Sequence, residues 1–354
     1  MPTFNIVKEV KPKKTFRVAS IIGKFDLQSE NIIEEFKGEI NLSDNWKIGL
    51  IVGKSGTGKT TIAKQLFPNS YLTNYQYSSE TILDDMPKNC SVEEITQSFN
   101  SVGFSSPPSW LKPYSVLSNG QKMRVDLARA ILEKEKLFVF DEFTSVVDRN
   151  VAQIGSFAIQ KAIRKSDKQF IAVTCHFDVQ DWLLPDWIFN TDTMTFQNFE
   201  GQKKNRPDIK FEIFNYGDKT IWKMFAKHHY LSHNHNNAAN VFIATINNEI
   251  AGFLSVLHLP HPVAKNIKKV HRLVILPDYQ GAGFGIKFLN EIGKLYKKDK
   301  WRFTISTSAP SLINALKKSN NWNCHHYGRT KKHSGLNKMQ HSGLNRITAS
   351  FELK

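Results

Sequence analysis

Gly53 to Thr60 read GKSGTGKT, and the residues on either side constrain the fold more than any other part of the chain. WKIGLIV before it is an apolar run of strand length, and TTIAKQLF after it spaces its apolar residues as an amphipathic helix does. A strand, a glycine-rich turn and a helix in that order aim a row of backbone N–H groups and a helix N-terminus at one point, which cradles phosphate. Such units build open α/β sheets, whose ligands sit at the carboxyl ends of the strands. LFVF, from Leu137 to Phe140, reads as a second buried strand and would deliver Asp141 and Glu142 to that edge. Gly53, Ser55, Gly56, Gly58, Lys59, Thr60 and Thr61 are therefore the expected phosphate contacts. Lys59 would reach the outer phosphates, Thr60 would ligate Mg²⁺, Asp141 would hold Mg²⁺ through water, and Glu142 would polarise an attacking water.

VLSNGQKMRVDLARAIL, from Val116 to Leu132, resembles the LSGGQ signature of the ABC ATPase family, with Asn119 where the family has glycine. The phosphate loop, the DE strand followed by SVVD, and VTCHFD with His176 occur in the family's order. This resemblance covers about residues 1–200 and implies ATP as the nucleotide. It also implies that Ser118, with Gly120, acts on the γ-phosphate held by an opposite subunit, that Asp148 lies at the dimer seam, and that His176 is the switch histidine. Ser118 and Gly120 open a helix, a second place where an anion is favoured. One chain then holds two half-sites that serve different molecules, so ATP is expected to close a homodimer.

The chain departs from transporter ATPases between Lys59 and Ser118, a stretch that is short for the family, with Gln76 as the candidate for its glutamine loop. VGFSSPPSWLKPYSV, carrying Pro107 and Pro108, reads as a rigid loop where transporters place the helical arm that meets their membrane subunits. No apolar run approaches the roughly 20 residues that cross a bilayer, and the N-terminus lacks the apolar core of a secretory signal. Cys90, Cys175 and Cys324 form no CxxC pair. These features lead us to expect a cytoplasmic protein with no membrane partner.

A second glycine-rich turn lies in VILPDYQGAGFGIKFL, starting at Val274. Gln280 to Gly285 fit the pattern of the GNAT acetyltransferase superfamily: Gln or Arg, two residues, Gly, one residue, then Gly or Ala. The resemblance covers about residues 210–354 and implies an α/β domain with a mixed sheet, using acetyl-CoA or another acyl-CoA. The backbone amides of Gln280, Gly281, Ala282, Gly283, Phe284 and Gly285 would hold the pyrophosphate, with Ile275 on the strand ahead of them. Glycine at these positions lets the chain approach phosphate without a Cβ. NVFIATINNEIAGFLSVLHL reads as a hairpin turning at Asn247 and Asn248, and the helix after the loop is expected to bury Ile286, Leu289, Ile292 and Leu295. A dinucleotide site would need a βαβ unit and a later acidic residue, and WRFTISTS ends without one.

Candidates for handling the acceptor's proton are His229 and Tyr230 in KHHYLSHNH and Arg272 in VHRLVIL. His228, His229, His233 and His235 crowd one segment with no carboxylate beside them, so a metal is not expected there. HHY with the strand arginine also resembles Mom-type phage enzymes, which modify adenine in DNA.

The sequence is expected to divide at residues 201–209, a polar linker between domains 1–200 and 210–354. Residues 1–200 carry 23 Lys and Arg against 24 Asp and Glu, whereas residues 201–354 carry 25 against 8, so the net charge of +16 lies wholly in the second part. Excess of this kind favours a polyanion, because lysine and arginine release counterions from phosphate. A tail with the repeat HSGLNKMQ and HSGLNRIT, and with Arg329, Lys331, Lys332, Lys338 and Arg346, suits tracking a phosphate backbone. Together these features predict an ATP-gated, acyl-CoA-dependent N-acyltransferase acting on nucleic acid, with a DNA base as target, a fusion suited to a phage or mobile element. The alternatives are acylation of a protein or small amine, and a DNA clamp whose second half only binds.

Overall fold

The computed structural model describes residues 3–11, 13, 15–27, 32–72, 75–199, 201, 208–229, 234–264, 266–329 and 346–354. Its strands are β1 (Thr3–Val10), β2 (Ile32–Glu39), β3 (Ile48–Val52), β4 (Leu137–Phe140), β5 (Gln169–Thr174), β6 (Trp187–Asn190), β7 (Thr195–Asn198), β8 (Phe211–Tyr216), β9 (Asn240–Ile246), β10 (Glu249–His258), β11 (Ile267–Ile275), β12 (Arg302–Thr307), β13 (Trp322–Arg329) and β14 (Ile347–Leu353). Its helices are α1 (Phe16–Phe25), α2 (Lys59–Leu66), α3 (Val92–Ser101), α4 (Pro107–Trp110), α5 (Asn119–Leu132), α6 (Arg149–Lys165), α7 (Val179–Leu183), α8 (Trp222–Ala226), α9 (Phe284–Lys298) and α10 (Pro310–Lys317).

Two compact units emerge, and they do not follow chain order. One comprises Met1–Tyr75, Lys134–Val146 and Ile163–Arg206; the other comprises Gln76–Glu133, Val147–Ala162 and Pro207–Lys354. The signature helix α5 and most of α6 thus belong to the same unit as the C-terminal sheet. The division at 201–209 stays a proposal about where one family gives way to the other, and residues 202–207 of that linker lie outside the described residues.

The first unit holds a five-stranded sheet of order β4-β5-β3-β6-β7, parallel except for β7. All five residues of β3 are buried, as an apolar run in a covered parallel sheet requires. Trp187 packs against Gly49 of β3, so close that a Cβ there would fall 2.0 Å from its ring. Because β3, β4 and β5 run the same way, the phosphate loop, Asp141 and the loop to His176 all leave from one edge. Local sequence and sheet order together assemble that edge.

The second unit holds a mixed seven-stranded sheet of order β13-β14-β12-β11-β10-β9-β8. The β9–β10 hairpin turns at Asn247 and Asn248, which have φ of 50° and 69°. Two successive left-handed residues match the twist of a two-residue hairpin, and asparagine tolerates them. β11 and β12 pair in parallel only from Ile267–Lys269 against Arg302–Thr304.

The buried face of α9 is Phe284, Phe288, Leu289, Ile292, Gly293 and Tyr296. Leu289 and Ile292 match expectation, but Leu295 is 49% exposed and Ile286 only half-buried. The stripe turns toward Phe288 and Tyr296 because Gly293 admits Leu353 and Phe303, whose side chains would lie 2.5 and 2.9 Å from a Cβ there. The Pro107–Pro108 segment contains the one-turn helix α4, with both prolines in the first turn where no N–H partner is lost.

Candidate functional sites

In the first unit the phosphate loop curves through Gly56 and Gly58, at φ of 87° and 81°. Space as well as dihedral requires glycine at 58, since a Cβ would fall 2.5 Å from the Phe36 ring. Gly53 packs against Thr191, whose Oγ1 would lie 2.1 Å from a Cβ. The Lys59 ammonium donates to the Lys54 carbonyl at 2.6 Å, which holds it at the inner curve of its own loop. Ser55 is exposed and Thr61 continues the first turn of α2.

Thr60 Oγ1 donates to Asp141 Oδ2 at 2.8 Å. Those two oxygens fit Mg²⁺, a hard cation that takes one or two protein oxygens beside phosphate and water. Tyr71 also donates to Asp141. Burial first, then Asp141 itself, push the Tyr71 phenol well above its ordinary range, so it remains a neutral donor. Nothing in the linear pattern around Tyr71 marks this role; a bridge between Tyr71 and Val139 creates it by pairing the two chain segments.

Glu142 sits at φ 51° and Thr144 at φ 68°, both in the left-handed region where a side chain is strained. The Glu142 amide donates to Asp141 Oδ1 at 2.9 Å, and Ser145 Oγ donates to Glu142 Oε2 at 2.7 Å. Residues held in this region cluster at functional sites, where the surroundings over-determine them. His176 Nδ1 lies 3.4 Å from Thr144 Oγ1. The first unit therefore brings together Lys59, Thr60 and Asp141 on one side, and places Glu142 and His176 on the adjacent strand ends.

In the second unit Ser118 caps α5 in a capping box with Gln121. Asn119 has a negative φ in the first turn, so asparagine replaces the family's glycine without strain. Gly120 is buried, with Val151 Cγ1 3.3 Å and Asp278 Oδ1 3.6 Å from a Cβ built on it. Asp148 caps α6, its Oδ1 accepting from the Val151 amide at 3.0 Å. Gln76 contributes its carbonyl to Arg129 at 3.0 Å. Next to it Tyr77 stacks on Tyr114 at 3.9 Å, and both hydroxyls donate to Asp126.

Arg124, one and a half turns beyond Ser118, is 2% exposed. Its guanidinium donates to the carbonyls of Gly103, Pro277 and Asp278 at 2.6, 2.8 and 2.7 Å, with Gln280 O at 3.4 Å. Burial lowers its pKa to about 10, which leaves it charged at neutral pH. A fork of fixed donors thus binds the signature helix to the turn before the second glycine loop. The sequence does not mark this arginine, because its partners are backbone carbonyls, those of the Pro277 turn more than 150 residues away.

That second loop divides into two halves. Gln280 is a staple: its Nε2 donates to the Ile275 carbonyl at 2.8 Å and its Oε1 accepts from the Ser105 amide at 2.9 Å. Gly281, at φ 90°, packs on Gly103 and Ala158, whose Cα and Cβ would lie 2.6 and 2.9 Å from an added Cβ. Gly283, at φ 95°, has only the Lys161 ammonium nearby, 3.9 Å from the same construction. Gly283 is therefore the open position of the loop, at the N-cap of the 15-residue helix α9, whereas Phe284 is buried and Ala282 packs against the same apolar cluster. Amides at that end suit the pyrophosphate of an acyl-CoA.

Among the acceptor candidates, His229 is buried and meets the edge of Trp222 at 5.8 Å, while Tyr230 lies outside the described residues. Arg272 Nη1 donates to the His271 carbonyl at 2.9 Å and Nη2 to the Asn234 carbonyl at 3.0 Å. His271, which sequence reading did not single out, lies 5.5 Å ring to ring from His235. Burial first, then Arg272 and His235, lower its pKa to about 4, so it is a neutral imidazole that accepts from the Asn236 amide. The unfolded chain binds the extra proton between pH 6.5 and about 4, so stability should fall as pH drops through that window. Denaturant midpoints should lose much of that slope in His271→Asn; an unchanged slope would assign it to other groups. Among the described residues no group of three or more His, Cys, Asp or Glu could hold a metal.

Comparison with known proteins gives family matches in two stretches of the chain. The family model "ABC transporter" matches residues 65–145, and "Acetyltransferase (GNAT) family" matches residues 204–306. The mRNA export factor elf1 of Schizosaccharomyces pombe is 26% identical over 177 residues, covering 44% of this chain and 16% of that protein. Five curated relatives are each matched over 8% to 28% of their own length. A dimeric ATP-binding cassette in a post-hydrolysis state, bound to ADP and Pi, aligns with TM-score 0.38 and 15% identity over 48% of this chain and 93% of its own. The ribosomal-protein-S18-alanine N-acetyltransferase of Escherichia coli aligns with TM-score 0.31 and 16% identity over 41% of this chain and 93% of its own. No helix among the described residues is long and apolar enough to cross a membrane. The chain thus joins an ABC-type ATPase region to a GNAT-family acetyltransferase region in a single polypeptide.

Proposed function

We propose that the chain is an ATP-gated, acyl-CoA-dependent N-acyltransferase whose acceptor is a nucleic acid, with a DNA base as the target. The observation that carries this reading is the open position at Gly283, the N-cap of α9, in a unit that also contains the helix opened by Ser118. The +17 balance of residues 201–354 supports a polyanionic acceptor. Acyl transfer from a thioester is downhill without ATP: the amine nitrogen attacks the carbonyl, the C–S bond breaks, CoA leaves as thiolate, and the amine loses one proton. ATP is then a switch, biasing a homodimer between open and closed states by its differential affinity for them. His229, His271 and Arg272 line the region where the acceptor's proton would be handled. The basic tail at Lys331, Lys332 and Lys338 lies outside the described residues, and its role in backbone binding rests on charge alone.

Mass spectrometry of nucleosides from expressing cells tests the reading. The wild-type chain should yield an acylated nucleoside, and Gly283→Val, which both strains the backbone at φ 95° and fills the open position, should reduce it by about tenfold or more, the scale of one lost charge-assisted bond. Acylated protein or free amine with unmodified nucleosides would move the acceptor to those classes. No acylated product with intact CoA binding would leave a clamp whose second region only binds.

A further inference from the structure

A cavity of about 560 Å³ opens within the second unit, between Ser106–Lys112, the signature residues Ser118 and Gln121, α8 with His228, and Leu276–Asp278. Four cation-forming groups face it, Lys112, Lys223, Lys227 and His228, against one carboxylate in the lining, Asp278. That carboxylate is shared with a further cation, the buried Arg124: burial raises its pKa, Arg124 opposes the rise and Asp148 adds to it. Asp218, outside the lining, interacts with Lys223 alone of the three lysines. His228 records the crowding: burial first, then Lys227 and Lys112, lower its pKa.

Like charges gathered around one cavity repel one another, and an anion among them relieves that repulsion. The hydroxyls of Ser106, Ser109 and Ser118 supply neutral donors on the same wall, and Met224, Val116 and Leu276 supply apolar surface. Lysines, hydroxyls and a small apolar wall in a space of this size fit the phosphates of a nucleotide.

We infer that Lys223 and Lys227, on the acetyltransferase side of this cavity, bind the terminal phosphates of the ATP that Ser118 engages. The inference rests on reading Ser118 as the signature serine, and it assigns the acetyltransferase region a direct contact with nucleotide. Closure of the ATP dimer would then pull on α8, which leads straight into the histidine-rich segment beside the acceptor candidates. The switch would act on the acyltransferase through the phosphate itself.

The test uses the full chain carrying Glu142→Gln, in which ATP should hold the dimer closed, and measures the ATP concentration at half-maximal dimer by light scattering. Lys223→Ala with Lys227→Ala should raise that concentration about tenfold or more, the scale of a lost charge-assisted bond. Nucleotide affinity of the monomer, read with fluorescent ADP at the phosphate loop, should not change. An unmoved midpoint overturns the inference. So does a result in which the two substitutions weaken CoA binding and leave ATP-driven dimerisation intact, since the phosphate would then be that of CoA. Ser118→Arg serves as the control: if it leaves ATP-driven dimerisation intact, the signature reading itself fails, whatever the lysines do.

Discussion

Replacing Arg124 with alanine should cost the second unit about 3–5 kcal/mol, because each buried carbonyl left without its charged donor costs about 1–3 kcal/mol. Three carbonyls would lose a charged donor within 2.8 Å, and the space of a fully buried side chain would open between α5 and the turn at Pro277–Gln280. Denaturant unfolding would report the loss in the midpoint. Arg124→Lys should recover only part of it, because a point charge on a flexible stem cannot serve three carbonyls held in fixed positions. A fold loosened at this point should also weaken acyl-CoA, since the turn held by Arg124 runs directly into Gly281 and the open position at Gly283. Full stability in Arg124→Ala would show that the carbonyls find other donors and that the two regions are joined elsewhere.

The second large effect is expected at Glu142. Glu142→Gln keeps the shape of the side chain and its acceptor oxygen for Ser145, and adds no new strain at φ 51°, because the two residues have the same backbone demands. It removes the carboxylate that would polarise water. Steady-state ATP hydrolysis should fall by about 10²- to 10⁴-fold, the contribution of a positioned general base. Binding of ATP should persist, and light scattering should show a dimer that ATP forms and ADP does not. Unchanged turnover would move the catalytic role off Glu142.

Much of this architecture is legible in local pattern. The apolar run of β3 and the glycines after it specify a strand, a left-handed turn and a helix, because only glycine reaches φ of 87° and 81° at no cost. The hairpin at Asn247–Asn248 and the strand ending in Asp141–Glu142 are written the same way, in residues adjacent along the chain. The face of α9 was only half legible: periodicity placed Leu289 and Ile292 inward, but whether Leu295 or Tyr296 completed the stripe depended on the space at Gly293, which β12 and β14 define.

By itself, then, the sequence determined the two glycine loops, the strands that feed them, the signature serine at a helix start and the concentration of positive charge after residue 200. Each of these depends on interactions between near neighbours, or on composition, which survives any arrangement of the chain. The tertiary structure alone decided that Tyr71 donates to Asp141, that Arg124 binds carbonyls of the Pro277 turn, that Gln280 and Gly281 pack while Gly283 stays open, and that Lys223 and Ser118 share a cavity. Those pairs come from segments tens to more than a hundred residues apart, and a backbone carbonyl leaves no mark on residue type. The Tyr71 contact follows from its bridge to Val139 in the first unit, and the others follow from how α5, the segment before it and the Pro277 turn pack within the second, a choice made by shape and burial.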